Sequence, residues 1–186
     1  MTSYMLNHDD CILLVIDIQD RLHTAMEPET KDLSVKNAGI LLEVAHAYNL
    51  PVIVTEQYPK GLGKTIGEIE RHIRGLPRHE KLYFSCYREG SVRNVFTACE
   101  RKTVIVTGIE THVCVLQTVL DLCEAGYRVF VASDAVSSRR ATDRISALKM
   151  MAHAGALVCS TESIAFMLME KAGTEAFKRL SPLFKE

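Results

Sequence analysis

The 186-residue chain has no apolar run approaching the roughly 20 residues that a membrane-spanning helix requires, so a soluble protein without a membrane partner is expected. Its six cysteines scatter with no Cys-x-x-Cys pair, which leaves neither a disulfide framework nor the ligand spacing of a structural zinc site. Met1 to Asp10 lacks a basic region followed by an apolar signal core and is too polar and acidic for a usual transit peptide. An intracellular setting is therefore expected, cytoplasmic by default, with an organelle left open. Neither charge sign is in excess: 22 Lys and Arg face 23 Asp and Glu, a net charge of −1, so there is no electrostatic footprint for nucleic acid or anionic lipid. Internal repeats and low-complexity segments are also missing. With 47% hydrophobic residues, the chain can bury one full core and is read as a single domain, 1–186.

Strand and helix signals alternate along the chain. Cys11 to Ile16 is a continuous apolar run, as in a strand buried on both faces of a parallel sheet, and it ends at Asp17. Apolar positions at helical spacing over Leu33 to Tyr48 predict a helix, stopped at Asn49-Leu50-Pro51 before a strand at Val52 to Thr55. Glu56 to Gly67 reads as loop, followed by a weak helix at Glu68 to Ile73 and a break at Gly75-Leu76-Pro77. Leu82 to Ser85 is a strand candidate that Lys81 enters. Ser91 to Cys99 follows as a helix capped by Ser91.

Thr103 to Val106 is a β-branched strand, and Thr107-Gly108 is read as the break before a helix whose apolar face runs from Val113 to Cys123. A strand at Gly126 to Val131, a helix at Ala141 to Ala154, a strand at Ala156 to Cys159, a helix at Thr161 to Lys171 capped by Thr161, and a short helix at Thr174 to Leu180 complete the pattern. Such alternation predicts an α/β fold: a six-stranded parallel sheet between two helical layers, order 3-2-1-4-5-6. Ligands in that order bind where it reverses, which would put Asp17 and Cys114 at one crevice.

Cys114 is the best nucleophile candidate. It falls in the first turn of the expected helix, where free N–H groups and the positive dipole end favour a thiolate. A thiolate needs a base, a cation and donors for the oxyanion that forms on attack at a carbonyl. Asp17 can be the base, Lys81 the cation, and the backbone N–H groups of Glu110 and Cys114 the donors. Plainer roles compete with these, since a strand-end Asp often caps a helix and a strand-entry Lys is usually solvated. Gly63-Lys64-Thr65 is not a phosphate loop, because the first glycine of that pattern would fall at Tyr58.

These residues carry a family resemblance. Leu-Val-Ile-Asp-Ile-Gln at 14–19, Lys81 ahead of Phe84-Ser85, Thr-Gly-Ile-Glu-Thr-His-Val-Cys-Val at 107–115 and Asp-Ala-Val-Ser-Ser-Arg at 134–139 together resemble the isochorismatase-like cysteine hydrolases across nearly the whole chain. Thr-Glu-Gln-Tyr-Pro-Lys-Gly-Leu-Gly at 55–63 is similar to the loop of the isochorismatase domain-containing branch. The resemblance implies a three-layer α/β/α sandwich, an Asp17, Lys81 and Cys114 triad, a non-proline cis peptide between Ile109 and Glu110, and hydrolysis of a small amide or related compound through a covalent thioester. It also implies a homo-oligomer.

The chain departs from its relatives in two ways. Nicotinamidases of the superfamily bind a metal through an Asp-x-His element after the second strand. This chain has Glu56-Gln57-Tyr58 there, so no metal or other cofactor is expected. The siderophore-pathway isochorismatase lacks the nucleophilic cysteine, which argues against isochorismate as substrate here. Gln19 and Tyr58 are candidate substrate contacts. His112 is two residues from Cys114 and off its helical face, and Cys86 is the other cysteine of interest because it follows Lys81. Two further functions are weighed beside the hydrolase: a non-catalytic scaffold that keeps the fold, and a nuclease, which the charge balance and missing acidic metal cluster disfavour.

Overall fold

The structure, a computed structural model, describes residues 4–185; of the Met1 to Asp10 stretch, residues 1–3 lie outside the described residues. The strands are β1 (Cys11–Ile16), β2 (Val52–Gln57), β3 (Arg78–Lys81), β4 (Thr103–Ile109), β5 (Arg128–Ser137) and β6 (Leu157–Cys159). All pairings are parallel, in the order β3-β2-β1-β4-β5-β6. The helices are α1 (Asp20–Ala25), α2 (Pro28–Ala47), α3 (Pro59–Leu62), α4 (Gly67–Glu70), α5 (Gly90–Ala98), α6 (Leu116–Glu124), α7 (Ala141–His153), α8 (Thr161–Met169) and α9 (Glu175–Leu180).

Alternation along β1 builds the layers. Cys11, Leu13 and Val15 pack into a core with α2, α8 and α9, while Ile12, Leu14 and Ile16 pack into a second core with α5, α6 and α7. Both faces are covered, which is why the strand is apolar at every position. Among the described residues no helix is long and apolar enough to cross a membrane.

Several elements differ from the sequence reading. Helix α2 starts at Pro28, five residues before Leu33, because its first turn is polar and takes proline where a missing N–H costs nothing. The third strand is the polar Arg78–Lys81 rather than Leu82–Ser85. It is an edge strand, paired only with β2, and charged residues suit an edge. Lys81 therefore ends the strand. Leu82, Tyr83 and Phe84 leave the sheet 73%, 58% and 52% exposed.

Two expected caps also move. Glu89 precedes α5 with no side-chain cap bond, and Ser160, not Thr161, caps α8. Thr161 instead gives its N–H and hydroxyl to Asp134 Oδ1, at 2.7 and 2.8 Å.

Gly108 does not break β4, which runs on to Ile109. Its φ is +134°, and a Cβ there would stand 2.2 Å from the Ile16 carbonyl oxygen. Only glycine lets β1 and β4 approach this closely. The strand ends that carry Asp17 and the 109–115 segment are thereby drawn together.

Candidate active site

Three segments bring the site together at the carboxyl end of the sheet. Asp17, with φ +51°, turns out of β1, is fully buried, and pairs through Oδ2 with Lys81 Nζ at 2.7 Å. Thr55, opposite Ile16 in the β1 and β2 register, donates its hydroxyl to Asp17 Oδ1 at 2.7 Å. Lys81 is 2% exposed. Its ammonium also meets Gln57 Oε1 at 2.7 Å, Phe84 O at 3.1 Å and Tyr83 O at 3.3 Å. Burial pulls Lys81 towards losing its proton, but the negative Asp17 outweighs this and leaves its pKa above the ordinary lysine value.

Cys114 sits in a π-helical turn, Thr111–Val115, ahead of α6, where the sequence reading placed the first turn of a continuous helix. The turn closes with Val115 N–H donating to Glu110 O at 3.2 Å. Thr118 Oγ1 donates to Cys114 O at 2.6 Å and accepts from Cys86 N–H at 2.9 Å, tying the turn to the segment after Lys81. The Ile109–Glu110 peptide is cis. The Glu110 carboxylate accepts from Arg139 Nε at 2.7 Å.

Placement at a helix start led to the expectation of a depressed thiol pKa, and the structure reverses it. Burial, then the negative Asp17, raise the Cys114 pKa well above the usual thiol range, with Lys81 pulling the other way. The resting group is a thiol beside its candidate base. Cys86 is fully buried in the same neighbourhood, pushed up to about 11 by burial and Asp17.

The remaining candidates are placed as follows. The Gln19 side chain is fully buried and spends its amide on backbone: Oε1 accepts from Gln57 N–H at 2.7 Å, and Nε2 donates to Gln57 O at 3.1 Å and Gly63 O at 2.7 Å. Tyr58 is 52% exposed and lines a cavity of about 390 Å³ with Lys60, Lys81, Leu82 and Glu89. A larger cavity of about 430 Å³ lies elsewhere, among residues of α2 and the 68–72 segment. His112 turns to Ser138 Oγ at 3.0 Å.

Glu56 Oε1 is occupied by Thr65 N–H and Oγ1, at 2.8 and 2.7 Å, and Gln57 by Lys81 and Leu82 O. Glu56 and Gln57, expected beyond the second strand but found to be its last two residues, thus hold a loop and a lysine. No group of three or more His, Cys, Asp or Glu side chains suited to a metal occurs among the described residues. Sequence reasoning missed Thr55 and Gln57 as site residues. The only signal for either was its position at the end of a strand adjoining the one that ends at Asp17.

Known proteins share the sequence pattern and the fold. The Isochorismatase domain family matches residues 11–163. Isochorismatase domain-containing protein 2 of Danio rerio is 36% identical over 172 residues, 92% of this chain and 85% of that protein. The solved structure of MAR1 ribonuclease from Caenorhabditis elegans superposes with a TM-score of 0.89 at 34% identity, over 97% of this chain and 92% of that one. The YcaC gene product of Escherichia coli, described as an octameric hydrolase of unknown specificity, gives 0.89 at 25% identity, over 99% and 91%. A six-stranded parallel α/β fold, a family match that runs from the first residue of β1 into α8, and relatives of this similarity together show that the chain belongs to the isochorismatase family of hydrolases, alongside its isochorismatase domain-containing branch.

Proposed function

We propose that the chain is a metal-independent cysteine hydrolase of a small amide or related compound, with Asp17, Lys81 and Cys114 as its catalytic residues. The observation that carries this reading is the buried Asp17 carboxylate paired with the buried Lys81 ammonium at 2.7 Å, both of them acting electrostatically on the buried Cys114 thiol. Asp17 takes the thiol proton as sulfur attacks the substrate carbonyl, and Lys81 offsets the charge that appears on sulfur. The backbone N–H groups of Glu110 and Cys114 serve the oxyanion, at ~3 to 4 kcal/mol per donor in comparable sites. Protonated Asp17 then returns its proton to the leaving amine. Water, deprotonated by Asp17, cleaves the thioester to release a carboxylic acid and restore the thiol. Engagement of Glu56 and Gln57 by the protein itself supports the metal-independent form.

A homo-oligomer is part of the same proposal, supported by the octamer described for the Escherichia coli protein. The name of the Caenorhabditis elegans protein raises RNA as a second substrate class. The buried, charge-balanced site favours a small neutral amide over a polyanion.

The test is covalent capture. Wild-type protein incubated with a panel of small primary amides and activated esters, then acid-quenched, is expected to carry an acyl mass on Cys114, and Cys114→Ala to carry none and to release no acid. Acylation equal in both proteins would remove the proposed nucleophile. No acylation in either would favour a scaffold, and cleavage of RNA by Cys114→Ala would favour a nuclease.

A further inference from the structure

Lys81, Gln57, Gln19 and Asp17 close a ring of contacts. Asp17 and Gln19 belong to one short segment, joined by Gln19 N–H donating to Asp17 O at 2.8 Å. The first presents its carboxylate to Lys81 at 2.7 Å. The second clamps the backbone N–H and C=O of Gln57 with its side-chain amide, at 2.7 and 3.1 Å. Gln57 completes the ring: its amide donates to Leu82 O at 3.0 Å and accepts from Lys81 Nζ at 2.7 Å. Gln19 is fully buried, and Gln57 and Lys81 are 8% and 2% exposed, so water does not supply these bonds.

The ammonium has three N–H donors and four acceptors around it: Asp17, Gln57, Phe84 O and Tyr83 O. Its protons are spoken for within this shell, so it acts on Cys114 through charge and position. We propose that Gln57, itself clamped by Gln19, is a positioning residue of the site, the neutral acceptor that holds the Lys81 ammonium against Asp17 and sets how readily Cys114 forms its thiolate. This rests on the hydrolase reading above and gives Gln19 a supporting role in place of the substrate contact expected from sequence.

An amide is the group this place requires. A carboxylate at position 57 would add a negative charge to a buried cluster in which Asp17 and Lys81 now cancel. The charged and titratable groups facing Lys81 are Asp17, Cys86 and Cys114, and a further anion would oppose ionisation of either thiol. An apolar side chain would leave the ammonium with one acceptor fewer and less closely fixed.

The experiment measures iodoacetamide alkylation of the full chain at one mildly alkaline pH, by peptide mass spectrometry, as the rate at Cys114 relative to the half-buried Cys99. Gln57→Glu is expected to slow Cys114 about tenfold, the effect of one pH unit on thiolate fraction, and Gln57→Met about threefold. Should the charged variant fail to fold, the methionine variant decides. Glu56→Gln, which loosens the neighbouring loop without touching Lys81, is expected to stay within about twofold of wild type. If Gln57 merely tethered the loop, its replacement would open the site and speed the reaction, so an unchanged or faster Cys114 rate overturns the proposal. Lys81→Met separates the two readings. Slowing by Lys81→Met without slowing by either Gln57 variant defeats the positioning role alone, whereas no slowing by Lys81→Met removes the hydrolase reading and this proposal with it.

Discussion

Moving the proton from Cys114 to Asp17 leaves the net charge of the buried cluster at zero: carboxylate, ammonium and thiol become acid, ammonium and thiolate. Burying an unbalanced charge is costly. A transfer that creates none is a chemical step this interior tolerates even though the isolated thiol is held protonated. Thiols away from the site show the same burial effect in stability. Cys11 is fully buried and pushed up to about 12, by burial first and then Asp10, whereas in an unfolded chain it titrates near ~8.5. Its folded pKa is raised, so the stabilisation is complete below ~8.5 and drains away as pH climbs towards the folded value, the unfolded chain having lost a proton that the native chain keeps. Unfolding free energies from urea titrations between about pH 8.5 and 10.5 should therefore fall less steeply for Cys11→Ala than for wild type, by up to about 1.4 kcal/mol per pH unit. Parallel curves would contradict the assignment.

At the scale of elements, the π-helical turn and the segment after Lys81 share one hydroxyl. Thr118 Oγ1 links Cys114 O to Cys86 N–H, so Thr118→Val removes both bonds and takes the hydroxyl acceptor from the buried Cys86 N–H. The expected loss is about 2 to 3 kcal/mol, read by equilibrium unfolding; a loss below about 0.5 kcal/mol would mean that the link contributes nothing. That bond pairs residues 32 positions apart, and such distance marks where sequence stops being informative. β1 was legible because both faces of a central strand ask for apolar residues, and the segment around Cys114 because its strand-turn-helix pattern is local. β3 was not: Arg78-His79-Glu80-Lys81 resembles a solvated loop until Asp17, from a strand two places away, buries the lysine charge. Gln57 was missed for the same reason, its partner lying 24 residues on. The Cys114 pKa was misread because a helix start can be seen locally, whereas the burial that overrides it comes from packing of the whole fold.

At the scale of the molecule, the apolar stretch Leu82, Tyr83 and Phe84 stands outside the sheet next to the exposed ring of Tyr58. Large apolar groups clustered at a surface mark contact sites more often than chance exposure does. Sedimentation of the full chain at micromolar concentration is expected to show an assembly larger than 20.8 kDa, and Tyr83→Glu to shift it towards the monomer. A wild-type chain that sediments as a monomer would end the oligomer proposal.

The missing Cβ at Gly108 has a consequence for access. The proposed base and nucleophile follow two neighbouring central strands whose backbones meet where a methyl group would stand 2.2 Å from an oxygen, and a joint with so little slack cannot serve as a gate. The floor beneath the candidate site is therefore fixed. The acceptors of the Lys81 ammonium are held less rigidly: Tyr83 and Phe84, whose carbonyl groups receive its N–H bonds, are exposed outside the sheet. An outward shift of that stretch would take two acceptors from the ammonium. The fixed joint at Gly108 and the less constrained contacts of Lys81 thus lie on opposite sides of Asp17.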